Sequence, residues 1–195
     1  SLLTNTAAGD RGRVVFTEFV HGLNGFYYMS VSNWIAALHS FRQAMAFCEA
    51  YLERANANQL IEYHAVLHLS SIGRVLGASG NHVEALRTLD EALRRQEGLV
   101  RRDKENWNFQ DALTFMRVGS ARARIAASRQ TGLPLADRVR LLEEARDFFQ
   151  RSLHSMQTVS NSTRMKSWLE ARPEEIAREL SEVHSELAKL NAAVN

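Results

Sequence analysis

The stretch VLHLSSIGRVLGASGNHVEALRTLDEALRRQEGL, residues 66–99, decides the fold class of this 195-residue chain. Two runs with apolar residues three and four apart flank the dipeptide Gly80-Asn81, which is typical of a turn. Gly73 and Ala85 are small residues at points where two helices can come close, and Leu89 is large enough to fill the space between them. The stretch therefore predicts a helical hairpin, two antiparallel helices joined by a short turn.

The same frame occurs once before this stretch. Gly25 precedes Phe41 by the same distance that separates Gly73 from Leu89, and residues 32–34 supply the turn between the two halves. The N-terminal part of the chain is therefore predicted to form a hairpin like the central one.

A third hairpin is placed on Gly119 in its first helix and Ala145 in its second. The break between them falls at Thr131-Gly132-Leu133-Pro134, where Gly suits a helix end and Pro suits a helix start. Its two helices are more widely spaced along the chain than those of the other hairpins, so we expect long helices of up to about 25 residues.

The two ends of the chain differ from its middle. Residues 1–14 show no sustained period and are expected to be frayed, whereas Pro173 opens an amphipathic run with a charged outer face, typical of a capping helix. The predicted organisation is a frayed start at 1–14, three hairpins within 15–159 (about 15–54, 57–101 and 106–159), and a linker and capping helix at 160–195.

Composition agrees with an all-α fold. The chain has 45% hydrophobic residues, only two prolines, and much Ala, Leu, Arg and Glu. No apolar run is long enough to span a bilayer, and the single cysteine, Cys48, fits a reducing compartment. We expect a cytoplasmic location and, because the sequence begins with Ser, a longer parent protein that could carry a membrane segment elsewhere.

The recurring pattern resembles the tetratricopeptide repeat, which has Gly at position 8, Ala at 20, an aromatic residue or Leu at 24, and Ala at 27. The central repeat matches with Gly73, Ala85, Leu89 and Ala92, and the first repeat adds Tyr28 at a further family position. The third hairpin departs from the family spacing. The resemblance implies a solenoid of three elongated helical hairpins with a C-terminal cap, and a binding function.

The last fifty or so residues, from FFQRSL through RPEEIARELSEVHSELAKL, are similar to the C-terminal part of tetratricopeptide regions behind bacterial serine/threonine kinase domains. No kinase signature is present in the chain itself. This resemblance implies a module of a larger bacterial signalling protein.

Catalytic and metal sites are not predicted. His64 and His68 lie four apart and share a helix face, but two ligands do not make a metal site, and no third ligand is close in sequence. Cys48 lies in an apolar run that favours a core position. With no nucleophile elbow and no phosphate loop, we expect a protein that is not an enzyme and has no cofactor.

A binding groove follows from the resemblance, since the family lines its concave face with fixed positions of each first helix. The carboxylate clamp of some family members is absent, because Gly22, Ser70 and Met116 occupy one of its two positions and Phe26, Arg74 and Ser120 the other. The residues expected to line a groove for a partner or peptide are Phe19, Phe26, Met29, Arg74, Met116, Ser120 and Arg124.

The first functional hypothesis is a non-catalytic scaffold that binds a protein or peptide. The alternative is a regulatory sensor whose groove takes a small ligand. Nucleic acid is disfavoured, because the basic region from Arg94 to Lys104 has no aromatic residue for stacking. The partner's identity and the formation of homo-oligomers stay open.

Overall fold

The computed structural model describes residues 2–54, 58–159 and 172–192. Within these ranges the chain is α-helical with short turns and contains no strand, so the all-α prediction is confirmed. The helices are α1 (Leu2–Ser30), α2 (Trp34–Arg54), α3 (Gln59–Ala78), α4 (His82–Arg102), α5 (Trp107–Ser128), α6 (Leu135–Val159) and α7 (Pro173–Ala192).

The chain divides into two compact units, Ser1–Arg102 and Asp103–Asn195. In the first unit each of the helices α1 to α4 packs against its neighbour along the chain. In the second unit α5 packs against α6, and α6 against α7. The hairpins α1–α2, α3–α4 and α5–α6 correspond to the three predicted ones. The boundary between the units falls where the link between the second and third hairpins is predicted.

The two hairpins of the first unit share one packing device, a glycine facing a bulky buried residue. A Cβ atom at Gly25 would lie 2.7 Å from the Phe41 ring, and one at Gly73 would lie 2.7 Å from Leu89 Cγ. Phe41 and Leu89 are almost completely buried. Any side chain at either glycine would overlap its neighbour, so this contact confirms the predicted frame.

The predicted turns are also present. Gly80 and Gly132 adopt φ angles of +87° and +80°, which a residue without Cβ tolerates best. Between α1 and α2, Asn33 Oδ1 accepts a hydrogen bond from the Ala36 amide at 3.2 Å. These residues end one helix and start the next, as the sequence predicts.

The predicted frayed start at 1–14 differs from the structure, in which α1 begins at Leu2. The glycines in this segment lower helix propensity, but no proline interrupts it. Once a helix is nucleated, each further residue adds a backbone hydrogen bond, so α1 can extend backwards through residues of modest propensity. The predicted linker lies largely outside the described residues.

In the second unit, α7 covers the α5–α6 hairpin. It begins at Pro173, as predicted, and packs Ile176, Val183 and Leu187 into a cluster that contains Leu142 and Phe149. Its acidic outer residues face basic ones, and Arg122 Nη2 on α5 donates to Glu179 Oε1 at 2.7 Å. Within the described ranges, no helix combines the length and apolar character needed to cross a membrane.

Candidate functional site

The side of α1 that faces its neighbours is unusual for a buried helix face. Its buried positions are Val14, Glu18, Gly22 and Gly25, spaced three or four residues apart. A carboxylate therefore stands in the middle of a stripe where a helix normally places aliphatic side chains. Only 3% of the Glu18 surface is accessible.

Two histidines of α3 pair with this carboxylate. His64 Nδ1 donates to Glu18 Oε1 at 2.6 Å, and His68 Nε2 donates to Glu18 Oε2. Because the two histidines are four residues apart, their rings project from the same face of α3. One carboxylate oxygen thus serves each imidazole, which ties α1 to α3.

The space for the second imidazole is provided by a glycine. A Cβ atom at Gly22 would lie 2.9 Å from His68 Cε1, so a side chain there would displace the ring. The Phe41 ring bounds the same pocket, with its centroid 6.3 Å from that of His68. Cys48 of α2 is completely buried beside them. Helices α1, α2 and α3 therefore each contribute to one polar cluster, Glu18, Cys48, His64 and His68.

The electrostatics of the cluster follow from burial and from these hydrogen bonds. Burial alone would raise the pKa of Glu18, but the hydrogen bonds from His64 and His68, together with their electrostatic attraction, lower this pKa to about 2. Burial raises the pKa of the Cys48 thiol to about 12, assisted by the negative charges of Glu18 and Glu49. At neutral pH Glu18 is therefore an anion, and Cys48 is a neutral thiol.

The two histidines are close in sequence, but the residues that join them in the cluster are not. The structure brings one atom each from Glu18, Cys48 and His68 within 4.8 Å of one another. Glu18 is 46 and 50 residues from its two histidine partners, close to the 48 residues that separate Gly25 from Gly73. The repeat length could have indicated this pairing. Residues about one repeat apart lie on the first helices of successive hairpins, and these helices are neighbours.

The predicted groove residues of the first unit lie on or near its surface. Phe19 and Phe26 are 56% and 46% exposed, and the Phe26 ring meets the Phe41 ring edge-on at 5.0 Å. Met29 and Arg74 are half-buried. Around Phe19, α1 exposes a continuous set of large apolar side chains, here called the outer face of α1: Phe16, Phe19, Val20, Leu23, Phe26 and Tyr27.

The predicted groove residues of the second unit are placed differently. Met116 and Ser120 are buried, and so is the Arg124 side chain. Arg124 Nε donates to Glu144 Oε2 at 2.6 Å, and its guanidinium carbon lies 4.8 Å from the centre of the Phe148 ring. A partner could not reach these three side chains as they are packed here. The position of Arg124 in the sequence did not show that its side chain forms an ion pair with Glu144 inside its own unit.

Comparisons with known proteins yield a structural similarity but no family. No protein-family model matches the chain, and the comparison with curated proteins found no match. A crystal structure of a de novo designed helical repeat protein aligns with 95% of this chain and 99% of its own, at 16% sequence identity and a TM-score of 0.43.

Proposed function

We propose that this chain is a non-catalytic module that binds a protein or peptide through the outer face of α1. The observation that carries the proposal is the exposure of six large apolar side chains on one helix of a folded unit. Scattered exposed apolar residues are normal on protein surfaces, but a contiguous set typically marks an interaction site.

The spacing of this face suits a helical partner. Its residues follow one another at intervals of one and three, which places them along one side of α1 over about three turns, or about 16 Å. None of the six carries a charge, so affinity would come mainly from the burial of apolar surface. The occupant we propose is therefore an amphipathic helix that lays its apolar stripe along α1.

The finer parts of the proposal rest on resemblance. The tetratricopeptide-like frame at Gly25 and Gly73 supports a scaffold of that general kind, since such repeats commonly hold other proteins. The likeness of the last fifty residues to kinase-associated regions supports a place in a bacterial signalling protein. A free, buried Cys48 is compatible with the reducing cytoplasm.

Photo-crosslinking tests the surface directly. The chain would be expressed in its native cell with a photoreactive phenylalanine analogue at position 19, and in parallel at Val83, which is 81% exposed on α4. We expect a discrete crosslinked partner from position 19 but not from position 83. The same product from both positions would show non-specific contact and would overturn the proposal.

Calorimetry with the purified partner then gives the magnitude. The Phe19→Ser, Leu23→Ser double variant should lose at least tenfold in affinity, about 1.4 kcal/mol, with unchanged helical content. Undiminished affinity would mean that the partner binds to another surface of the chain. If the only crosslink joins two copies of this chain, the outer face of α1 is an interface of a homo-oligomer and not a site for a partner helix.

A further inference from the structure

We propose that Glu18, Cys48, His64 and His68 form a binding site for a transition-metal ion, with Zn²⁺ as the expected ion, that joins α1, α2 and α3. The four residues offer one sulfur, two imidazole nitrogens and one carboxylate oxygen. These are the donor types that protein zinc sites use, usually four at a time in a tetrahedron.

Three of the four donors already lie close together, and His64 would have to turn toward them. In a tetrahedral zinc site the donor atoms are about 3.3–3.6 Å apart, as follows from metal–ligand distances of about 2.0–2.3 Å. One donor atom each from Glu18, Cys48 and His68 already lies within 4.8 Å of the others. His64 lies outside this group of three, with its Nδ1 2.6 Å from Glu18 Oε1. An ion between these groups would replace the direct contacts between imidazole and carboxylate.

Charge balance favours a divalent cation. The site excludes water from Glu18, Cys48 and most of His68, so the Glu18 carboxylate is a buried anion to which a cation can bind without competition from bulk water. On metal binding the Cys48 thiol releases its proton to solvent as the sulfur–zinc bond forms, and each imidazole presents a lone pair while keeping its proton on the other nitrogen. Thiolate and carboxylate together then cancel the charge of the ion.

The repeat itself does not require these donors. In the frame of the three glycines, the position of Glu18 is taken by Val66 in the second hairpin and by Ala112 in the third, both buried and apolar. The position of Cys48 is taken by Gln96 in the second hairpin. At these compared positions only the first hairpin has ionisable groups, and its Gly22 clears the space for His68 of α3.

The site is of the closed, structural kind. Four protein ligands leave no coordination position for a substrate or an activated water, which agrees with a chain that is not proposed to be an enzyme. His64 is the most accessible ligand, with 23% of its side chain exposed, so ions would enter and leave on its side. The metal would hold in place the helix whose outer face is proposed to bind a partner, but the site stands independently of that proposal.

Cobalt(II) is the probe for the test, because its spectrum reports both geometry and thiolate ligation. The full chain would be stripped with a chelator and titrated with Co²⁺, then with Zn²⁺. We expect one equivalent of Co²⁺ to give intense visible bands of a tetrahedral site and a thiolate-to-cobalt charge-transfer band, all of which one equivalent of Zn²⁺ removes. A wild-type spectrum without the charge-transfer band, or with only weak octahedral bands, would mean adventitious binding at surface histidines and would overturn the proposal.

Variants identify the ligands. Cys48→Ser should abolish the charge-transfer band, and Glu18→Gln and His68→Ala should each weaken Zn²⁺ binding by at least about a hundredfold, since loss of a ligand should exceed the 10- to 100-fold effect of an outer-shell change. His39→Ala, at an exposed histidine on α2, is the matched control and should bind like the wild type. Glu18→Gln keeps the size of the side chain and an acceptor oxygen for one of the two histidines, but it removes the negative charge. Equal Zn²⁺ affinity in this variant would show that Glu18 is not a ligand and would overturn the proposed site.

Discussion

The first and last helices, α1 and α7, arrange their apolar residues in opposite ways. In α7 the apolar residues Ile176, Val183 and Leu187 are buried, and charged residues occupy the outer side. In α1 the buried stripe contains Glu18 and two glycines, and phenylalanines lie outside. Each helix packs against only a part of its own unit, but only α7 has the amphipathic pattern of a cap.

This difference shows that the two helices are held by different forces. Burial of aliphatic side chains stabilises the contact of α7 with its unit. The contact of α1 depends on close approach at Gly25, on aromatic packing, and on the hydrogen bonds of Glu18 to His64 and His68. Because α1 does not bury its largest apolar residues, they are available for another molecule.

Removal of α7 should have the largest effect. A chain that ends at Val159 exposes the cluster around Leu142 and Phe149, so we expect the second unit to melt at a lower temperature and the protein to aggregate. Circular dichroism on heating and size-exclusion chromatography measure both effects. If the truncated chain stays monomeric and its melting midpoint is unchanged, α7 does not stabilise its unit by covering the core, and α1 and α7 do not differ in the proposed way.

Matched truncations of single side chains sharpen the comparison. Ile176→Ala should lower the free energy of unfolding by about 2–5 kcal/mol, because it leaves a cavity in a fully buried site. Leu23→Ala, at a position 52% exposed on the outer face of α1, should change it by less than about 0.5 kcal/mol. Urea unfolding followed by circular dichroism gives both values. Similar losses would mean that the outer face of α1 is covered within the folded chain.

The smallest effect is expected at the ion pair between α5 and α7. Arg122→Ala should cost about 0.2–1 kcal/mol, because both partners are partly exposed and water screens their attraction. A double-mutant cycle with Glu179→Ala isolates the pair, and its coupling should fall as salt is added. A coupling of several kcal/mol would indicate that charge, rather than apolar burial, attaches α7.

The sequence predicts the helices well, because local signals mark their ends. Gly80, Gly132 and Pro173 lie at breaks whose chemistry is contained in a few neighbouring residues, and the structure has its turns and its last helix start there. The helical start at Leu2 was not predicted, because the first residues show no sustained period, although a helix nucleated further along the chain can extend backwards through residues of modest propensity.

The candidate site is harder to predict, since it depends on pairs distant in sequence. Arg124 and Phe26 are both predicted to line a groove, but only the tertiary structure shows that Arg124 pairs with Glu144 and that Phe26 is accessible. The polar cluster likewise becomes visible only when α1 and α3 are placed side by side. Periodicity shows which face of a helix is apolar, but it does not show which partner a polar residue will meet.

The distance along the chain between Glu18 and His68 has a consequence for synthesis. A ribosome that adds about 5–20 residues per second needs about 2.5–10 s to make the 50 residues between them. Until α3 is made, Glu18 has neither of its histidine partners and stays hydrated. The first hairpin therefore cannot form its complete core before the second hairpin is synthesised. The nascent N-terminal half is expected to gain its final packing in one late step, when α3 leaves the exit tunnel.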